Sequence, residues 1–421
     1  MRSLFIRVKL LLVSFLFWGV EVDAHNEGTS LERLEMLAVE KAPELEQLIS
    51  TRASLDASAI AEGTFKDPKL QAGITNVPTD TFSMAQENMT QIKLGLVQEF
   101  PRGSSLSLRT KQLQHMATGQ GFKKSAMEAE ILRAVRMSYI ELYYLISAKK
   151  ILQDAKRVFS HLVQVTTSAL SVGKGLQHDV LRAQLDLTEV ERKLVQIDED
   201  IRKVRASLAR LVGNDVAKSV RPHMAPKWHA PGNLAYIQSS LKHHPTIRMD
   251  DSLVDASKKG VEISNEQYKP AWSLGANYSV RQGSSGVPRK RRVDFVGVQL
   301  TTELPLFTKN RQDKLVVESI EKHKASRSIR RAHFLNLKKE TEEYYASWEQ
   351  LKLQENIFKR RLLPEAKQYA KATLNAYENR QADFPTVSRA HDKYLVTRLQ
   401  AIRVQTKRQK VRAYLLYLEA K

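Results

Sequence analysis

The chain contains no cysteine. Disulfide staples, thiolate metal ligands, a cysteine nucleophile and an N-terminal lipid carried on cysteine are therefore excluded. His-Glu-x-x-His, the phosphate-cradling glycine loop and the nucleophile elbow are also missing, so no recognised hydrolytic or nucleotide chemistry stands in the sequence. The eleven histidines are scattered, and only His243 and His244 are adjacent. Chain neighbours point different ways unless the backbone turns, so this pair reads as a polar, water-facing start to a helix, with a metal site as the alternative. Met84, Met89, Met116, Met127 and Met137 fall among apolar or loop positions and read as packing. No catalytic, cofactor or metal site is expected, and the chain is not read as an enzyme. Beyond its first two dozen residues, no stretch approaches the ~20 apolar residues that a membrane-spanning helix requires.

Those first residues have their own pattern. Arg2, Arg7 and Lys9 precede an apolar run from Leu10 to Val20, and Val22-Asp23-Ala24 resembles a small-residue cleavage site. This is the pattern of a secretory signal peptide over 1–24, with the mature chain starting near His25. The formal charge is +21. Export argues against nucleic acid as a partner, and most cations lie among Glu and Asp in helical stretches, as in Glu191-Arg192-Lys193, where they solvate a face. Arg289-Lys290-Arg291-Arg292 stands apart, in a loop that either contacts phosphate-rich lipid headgroups or is simply exposed.

The chain repeats itself. Pro43 is followed 25 residues later by Pro68 and then Gly73, as Pro245 is followed by Pro270 and Gly275; Gly95 and Gly297 share the same 202-residue offset. Each half also carries long helical stretches. Ser125 to about Leu170 has neither Pro nor Gly, and Arg311 to Leu363 has the same apolar character. Ala183, Leu187, Val190, Leu194, Ile197, Ile201, Val204, Leu208 and Leu211 alternate steps of four and three. Ala390, Tyr394, Thr397, Ala401, Val404, Arg408, Val411, Leu415 and Leu418 repeat the pattern 207 residues later. Steps averaging 3.5 keep one stripe against a partner helix, as in a coiled coil. A run from Gly103 to Leu170 would extend roughly 100 Å, a length suited to a tube or stalk.

Between the helices the period drops to two. Leu70, Ala72 and Ile74 alternate with Gln71, Gly73 and Thr75, and Ile92, Leu94 and Leu96 with Gln91, Lys93 and Gly95. Trp272, Leu274, Ala276 and Tyr278 alternate with Ser273, Gly275 and Asn277, and Val296, Val298 and Leu300 with Gly297, Gln299 and Thr301. These are strands with one apolar and one polar face, one hairpin per half. Either the hairpins pack on the helices in water, or the apolar face meets lipid. In lipid an open sheet edge finds no water for its N–H and C=O groups, so several chains would have to pool hairpins. Two would supply eight strands, which side chains fill; three would supply twelve, which leaves a lumen.

The order of these elements, with Asp67-Pro68, Phe100-Pro101, His244-Pro245 and Leu304-Pro305-Leu306-Phe307 at the joints, resembles the TolC family of outer-membrane efflux factors over essentially the whole mature chain. Asn76-Val77-Pro78, Met89-Thr90-Gln91, the run from Gly95 to Gly103, and Asn310-Arg311-Gln312 resemble the heavy-metal (CzcC-like) subset. The resemblance implies a mainly α fold with a small membrane β-barrel portion: a homotrimer with a twelve-stranded barrel in the outer membrane and an α-helical periplasmic tunnel. The first repeat would occupy 25–225, with strands about 69–76 and 90–99, and the second 226–421, with strands about 270–280 and 293–303. The implied activity is passive, porin-like exit of heavy-metal cations delivered by an inner-membrane RND-type pump through a periplasmic adaptor. A drug-efflux or type I secretion duct, or a soluble periplasmic coiled-coil scaffold, are the alternatives. The family's periplasmic tips, which by resemblance stay closed until the adaptor binds, map near Val172-Gly173-Lys174-Gly175 with Asp179 beyond, and near Glu378, Arg380 and Asp383. Relatives usually place a glycine in both tips; the second tip here has none.

Overall fold

The computed structural model describes residues 30–285, 288, 290–379 and 381–420. The expected signal peptide lies outside them, as do Arg289 and Arg380. Helix α1 (Leu31–Glu40) starts where the Ser30 side chain accepts the Arg33 N–H, and α2 (Pro43–Ala61) starts on a proline, whose missing N–H costs nothing in a first turn. Strands β1 (Lys69–Thr75) and β2 (Gln91–Phe100) follow, then α3 (Ser105–Ser171), α4 (Gln177–Val212) and the short α5 (Asn214–Ser219). The order then recurs: α6 (Leu234–Ser240), α7 (Pro245–Glu266), β3 (Ala271–Val280), a two-residue ribbon β4 (Ser284–Ser285) and β5 (Lys290–Arg291), β6 (Phe295–Glu303), and α8 (Gln312–Ile357). A π-helical turn, Phe358–Leu362, leads into α9 (Leu363–Glu378), and α10 (Phe384–Leu418) completes the chain.

The 67 residues of α3 contain no proline and run about 100 Å. The matching stretch of the second half is interrupted. Pro364 lacks an N–H and crowds the carbonyl four residues back, and the chain absorbs the fault as one widened turn just before it.

The helices pack along the expected seams. In α4, Ala183, Val190, Ile201 and Leu208 are fully buried, and in α10 Ala390, Thr397, Val411, Leu415 and Leu418 are. The two polar seam residues each have a partner, a hydrogen bond for Thr397 and an ion pair without hydrogen-bond geometry for Arg408. The Thr397 hydroxyl donates to the Lys393 carbonyl at 2.7 Å, and the Arg408 guanidinium lies 2.9 Å from the Glu355 carboxylate. One core cluster joins α1 and α2 to α3, α4 and α5, around Leu34, Val135, Leu142 and Leu208. Another joins α3 and α4 to α10 toward the far end, around Leu152, Phe159, Leu162 and Phe384. Among the described residues no helix is long and apolar enough to cross a membrane.

The histidine pair departs from expectation. His243 is exposed, but His244 is only 1% exposed and its ring packs edge-on against Tyr417, 5.2 Å between centroids. It does begin a helix: its Nδ1 accepts the Thr246 N–H of α7 at 3.3 Å. The proline after it opens α7, and the buried ring meets Tyr417 of the third core cluster, which also holds Leu241, Leu415 and Leu418. Burial pulls the His244 pKa below its ordinary 6.5, and burial does the same to His391 in α10. The folded state thus holds both rings neutral, while the unfolded chain takes protons near the ordinary value. Stability is complete above about pH 6.5 and falls as the pH drops toward the lowered folded values. A thermal unfolding series from pH 7.5 to 5.5 is expected to show a falling midpoint, and His244→Asn, which keeps a capping acceptor, to flatten that slope.

Candidate functional site

Strands β1, β2, β3 and β6 form one antiparallel sheet in that order, so β1 and β6 are edges without a partner strand among the described residues. The register pairs Leu70 with Leu96, Leu94 with Tyr278, and Leu274 with Leu300. Directly opposed residues share a face. One face therefore carries Leu70, Ala72, Ile74, Ile92, Leu94, Leu96, Leu274, Ala276, Val298 and Leu300, and no Asp, Glu, Lys, Arg or His from any of the four strands. These side chains stand open, with Leu70 at 67%, Val298 at 73% and Leu300 at 67% exposure. The opposite face is small and polar.

At the helical end of the sheet Phe100 stacks on Trp272 at 4.2 Å, with Phe65 edge-on to Phe100 at 5.6 Å. Toward the other end the Tyr278 hydroxyl donates to Asp294, 2.6 Å between the oxygens. An aliphatic band between aromatic ends is the outward pattern of a membrane β-barrel, about 25 Å tall; a ten-residue strand tilted by about 40° gives the same height. A large exposed apolar sheet with two free edges is a liability in water and a stave in lipid.

The basic loop departs from its expected role. Lys290 and Arg291 are exposed, but Arg292 is buried, and its Nη1 donates to the carbonyls of Glu87 at 2.8 Å and Gln282 at 3.0 Å. Arg281 reaches the carbonyls of Asn88 and Val293 and lies over the Phe295 ring at 3.8 Å. These arginines bolt the loop 76–90 to the loop 281–294, because guanidinium forks satisfy carbonyls that no strand pairs.

At the other end of the molecule, α3 turns into α4 through a paired closure. The Gly173 N–H bonds the Leu170 carbonyl at 2.9 Å, and the Lys174 N–H bonds the Ala169 carbonyl at 2.8 Å. Gly173 sits at φ +71 with open space around it, so its demand is conformational. Gly175 is required for room instead, since a Cβ there would lie 2.9 Å from the Leu170 nitrogen. Gly173→Ala forces a side chain into the left-handed region, at a cost of about 1–2 kcal/mol. The expected result is faster limited proteolysis confined to the tip.

In the second tip the Gln381 N–H closes on the Ala376 carbonyl at 2.7 Å, 207 residues after its counterpart, with arginine in the sequence where the first tip has Gly173. Asp383 caps α10 by accepting the Thr386 N–H at 3.1 Å. The hydroxyl and N–H of Thr386 hold its carboxyl below the usual range. Glu378 is exposed at the end of α9. Asp179 lies in the first turn of α4, close enough to Tyr377 that its charge, after burial, raises the Tyr377 pKa. Phe384 is 1% exposed and meets Tyr377 at 6.0 Å. The structure thus gathers Asp179, Tyr377 and Phe384. It assigns Asp383 a capping contact, and the Glu378 side chain makes no hydrogen bond or ion pair with another described residue. Missed in the sequence were the tip anchors Phe384 and Tyr377, and the Ser388 hydroxyl that donates to Asp186 across α10 and α4. The Asp-Phe-Pro-Thr run is a capping signature and carried the signal for the first of these.

Comparison with known proteins agrees with this geometry. Residues 236–418 match the family model described as outer membrane efflux protein. The fold is that of VceC, the outer membrane protein of Vibrio cholerae, with a TM-score of 0.78 at 18% identity over 93% of this chain and 96% of that one. It is similarly close to the CmeC outer membrane channel of Campylobacter jejuni, at 0.79 and 11% over 99% and 93%. The open state of the Neisseria gonorrhoeae MtrE outer membrane channel matches at 0.73 and 12% over 93% and 89%. No curated protein matches by sequence.

Proposed function

We propose that this chain is an outer-membrane channel, the passive exit duct of a tripartite efflux system. One observation carries the reading: a four-stranded sheet with an ion-free apolar face and two unpaired edges, mounted at one end of a helix about 100 Å long. Three copies would join β1 of each to β6 of the next and close twelve strands, giving the edges partners and the apolar face lipid. The signal peptide over 1–24 would export the chain, and two repeats, 25–225 and 226–421, would each supply one hairpin and one long helical pair. The likeness to the MtrE channel, solved in an open state, supports a duct whose tips part.

In this mechanism the tips close the far end of the tunnel. A periplasmic adaptor, linked to an inner-membrane RND-type pump, binds the parted form more tightly and shifts the population toward it. Gly173, Asp179, Glu378, Arg380 and Asp383 are the tip residues that we propose contact the adaptor. The motif subset points to heavy-metal cations as cargo. A second reading, a drug-efflux or secretion duct, is favoured by the uncompensated positive charge of Lys93 on the polar face of the sheet.

Fractionation tests the duct. The mature protein is expected in the detergent-extracted outer membrane as a heat-sensitive trimer, and a soluble periplasmic monomer contradicts the proposal. Growth of a deletion strain in zinc, cobalt, cadmium, copper and silver, against growth in dyes and detergents, separates the cargoes. Unchanged metal tolerance with lost dye tolerance rejects the metal reading alone.

A further inference from the structure

We infer that Lys93 sets the ion preference of the barrel section, making it selective for anionic and neutral solutes over free cations; the inference rests on the trimeric barrel proposed above and, of the two cargo readings given there, favours the second. By register the polar face carries few charges. Lys69 is paired with Glu99, and Glu303 with Arg102 at 2.6 Å. Arg281, just beyond β3, lies beside Asp294, whose carboxylate accepts the Arg281 N–H at 3.2 Å. Of the charged side chains on this face, that of Lys93 alone makes no ion pair or hydrogen bond with any described residue.

The surroundings of Lys93 leave that charge uncompensated. Its directly opposed residues are Gly73 on β1 and Ser279 on β3. A Cβ on Gly73 would meet nothing within 4 Å, so the lysine has room to extend over the polar face. Strand β2 lies inside the sheet, so both of its neighbours belong to the same chain and no adjoining subunit brings a carboxylate beside it. One step along the strands, Gly95 and Gly297 flank Asn277; a Cβ at either would come within 2.9 Å of the Asn277 side chain. That level is thus kept neutral and narrow in side chains, and the next charge is Lys93, third in β2 from the loop end. In a closed trimer three such lysines would ring the lumen near the mouth remote from the helices. A ring of like charge bounded by a low-dielectric wall repels cations and gathers anions.

The absence of cysteine allows a local readout. Gln71 lies on the same face, diagonal to Lys93 and so about 7–8 Å away. Gln71→Cys, in the full trimer in outer-membrane vesicles, is treated with methanethiosulfonates of opposite charge, one bearing a sulfonate and one a trimethylammonium group. With Lys93 present the anionic reagent is expected to react faster than the cationic one. Lys93→Gln should lower that ratio roughly fivefold to tenfold at low salt, Lys93→Glu should invert it, and Lys93→Arg should preserve it. A ratio indifferent to residue 93, with Gln71→Cys labelled and Leu94→Cys protected by lipid, overturns the role of Lys93 while leaving the barrel standing. Equal labelling of Gln71→Cys and Leu94→Cys overturns the barrel and this inference with it.

Discussion

Leu96→Arg is expected to abolish assembly in the outer membrane. Leu96 lies mid-strand on the apolar face, opposite Leu70 on one side and Ala276 on the other, and is 55% exposed in the single chain. If that face meets lipid, an arginine near the midplane costs about 2–4 kcal/mol per copy, and a trimer carries it three times. The measurement is the amount of heat-sensitive trimer recovered from the outer membrane. The polar-face control Gln299→Arg should assemble, since its side chain would lie in water. Were the sheet instead packed in water, Leu96→Arg would be a surface change, usually within ±0.5 kcal/mol, and recovery would not move.

Phe384→Ala is expected to loosen the second tip. The ring is fully enclosed by Leu152, Phe159, Leu162, Ala183 and Val387, and its loss leaves a cavity worth about 3–5 kcal/mol. The damage falls where α9, α10, α3 and α4 meet, far from the sheet, so assembly in the membrane should survive. What changes is the balance between closed and parted tips: a penalty of that size, if felt only in the closed form, raises a minor open population by about two to nearly four orders of magnitude. Cells carrying the variant should take up a large hydrophilic dye without any adaptor, and Phe384→Leu should show a weaker form of the same leak. A tight channel with a normal dye barrier would mean that Phe384 does not hold the closed tip.

The elements read most easily from sequence were those whose environment imposes a strict period. A sheet with one apolar and one polar face forces the alternation of Leu94, Leu96, Trp272 and Leu274 with Lys93, Gly95, Ser273 and Gly275, and a helix seam forces the four-three steps of α4 and α10. Contacts between distant parts of the chain were harder to read. Arg292 sits in a run of cations that looks like solvated loop, and nothing local indicates that it completes the Glu87 carbonyl, 205 residues away. His244 was misplaced for the same reason, because its ring packs on Tyr417, which arrives from the end of the chain. The His-Pro pair did mark a helix start, as Asp383 with Pro385 did at α10. The tip residues Asp179 and Tyr377 become neighbours only when α4 and α9 converge, which sequence spacing does not disclose.

Cross-linking between sheet edges tests the closure of the barrel most directly. One cysteine is placed on β1 at Gln71 and a second on β6, scanned over Phe295, Gln299 and Thr301, in a chain that has no other thiol. Disulfides form only when the Cα atoms approach within about 7 Å, and in one chain β2 and β3 stand between these edges. Mild oxidation in native outer membranes should yield, for the pair in register, a covalent ladder of one, two and three chains that ends at three. Monomers alone, or a ladder that climbs past three, would contradict a barrel closed by three subunits.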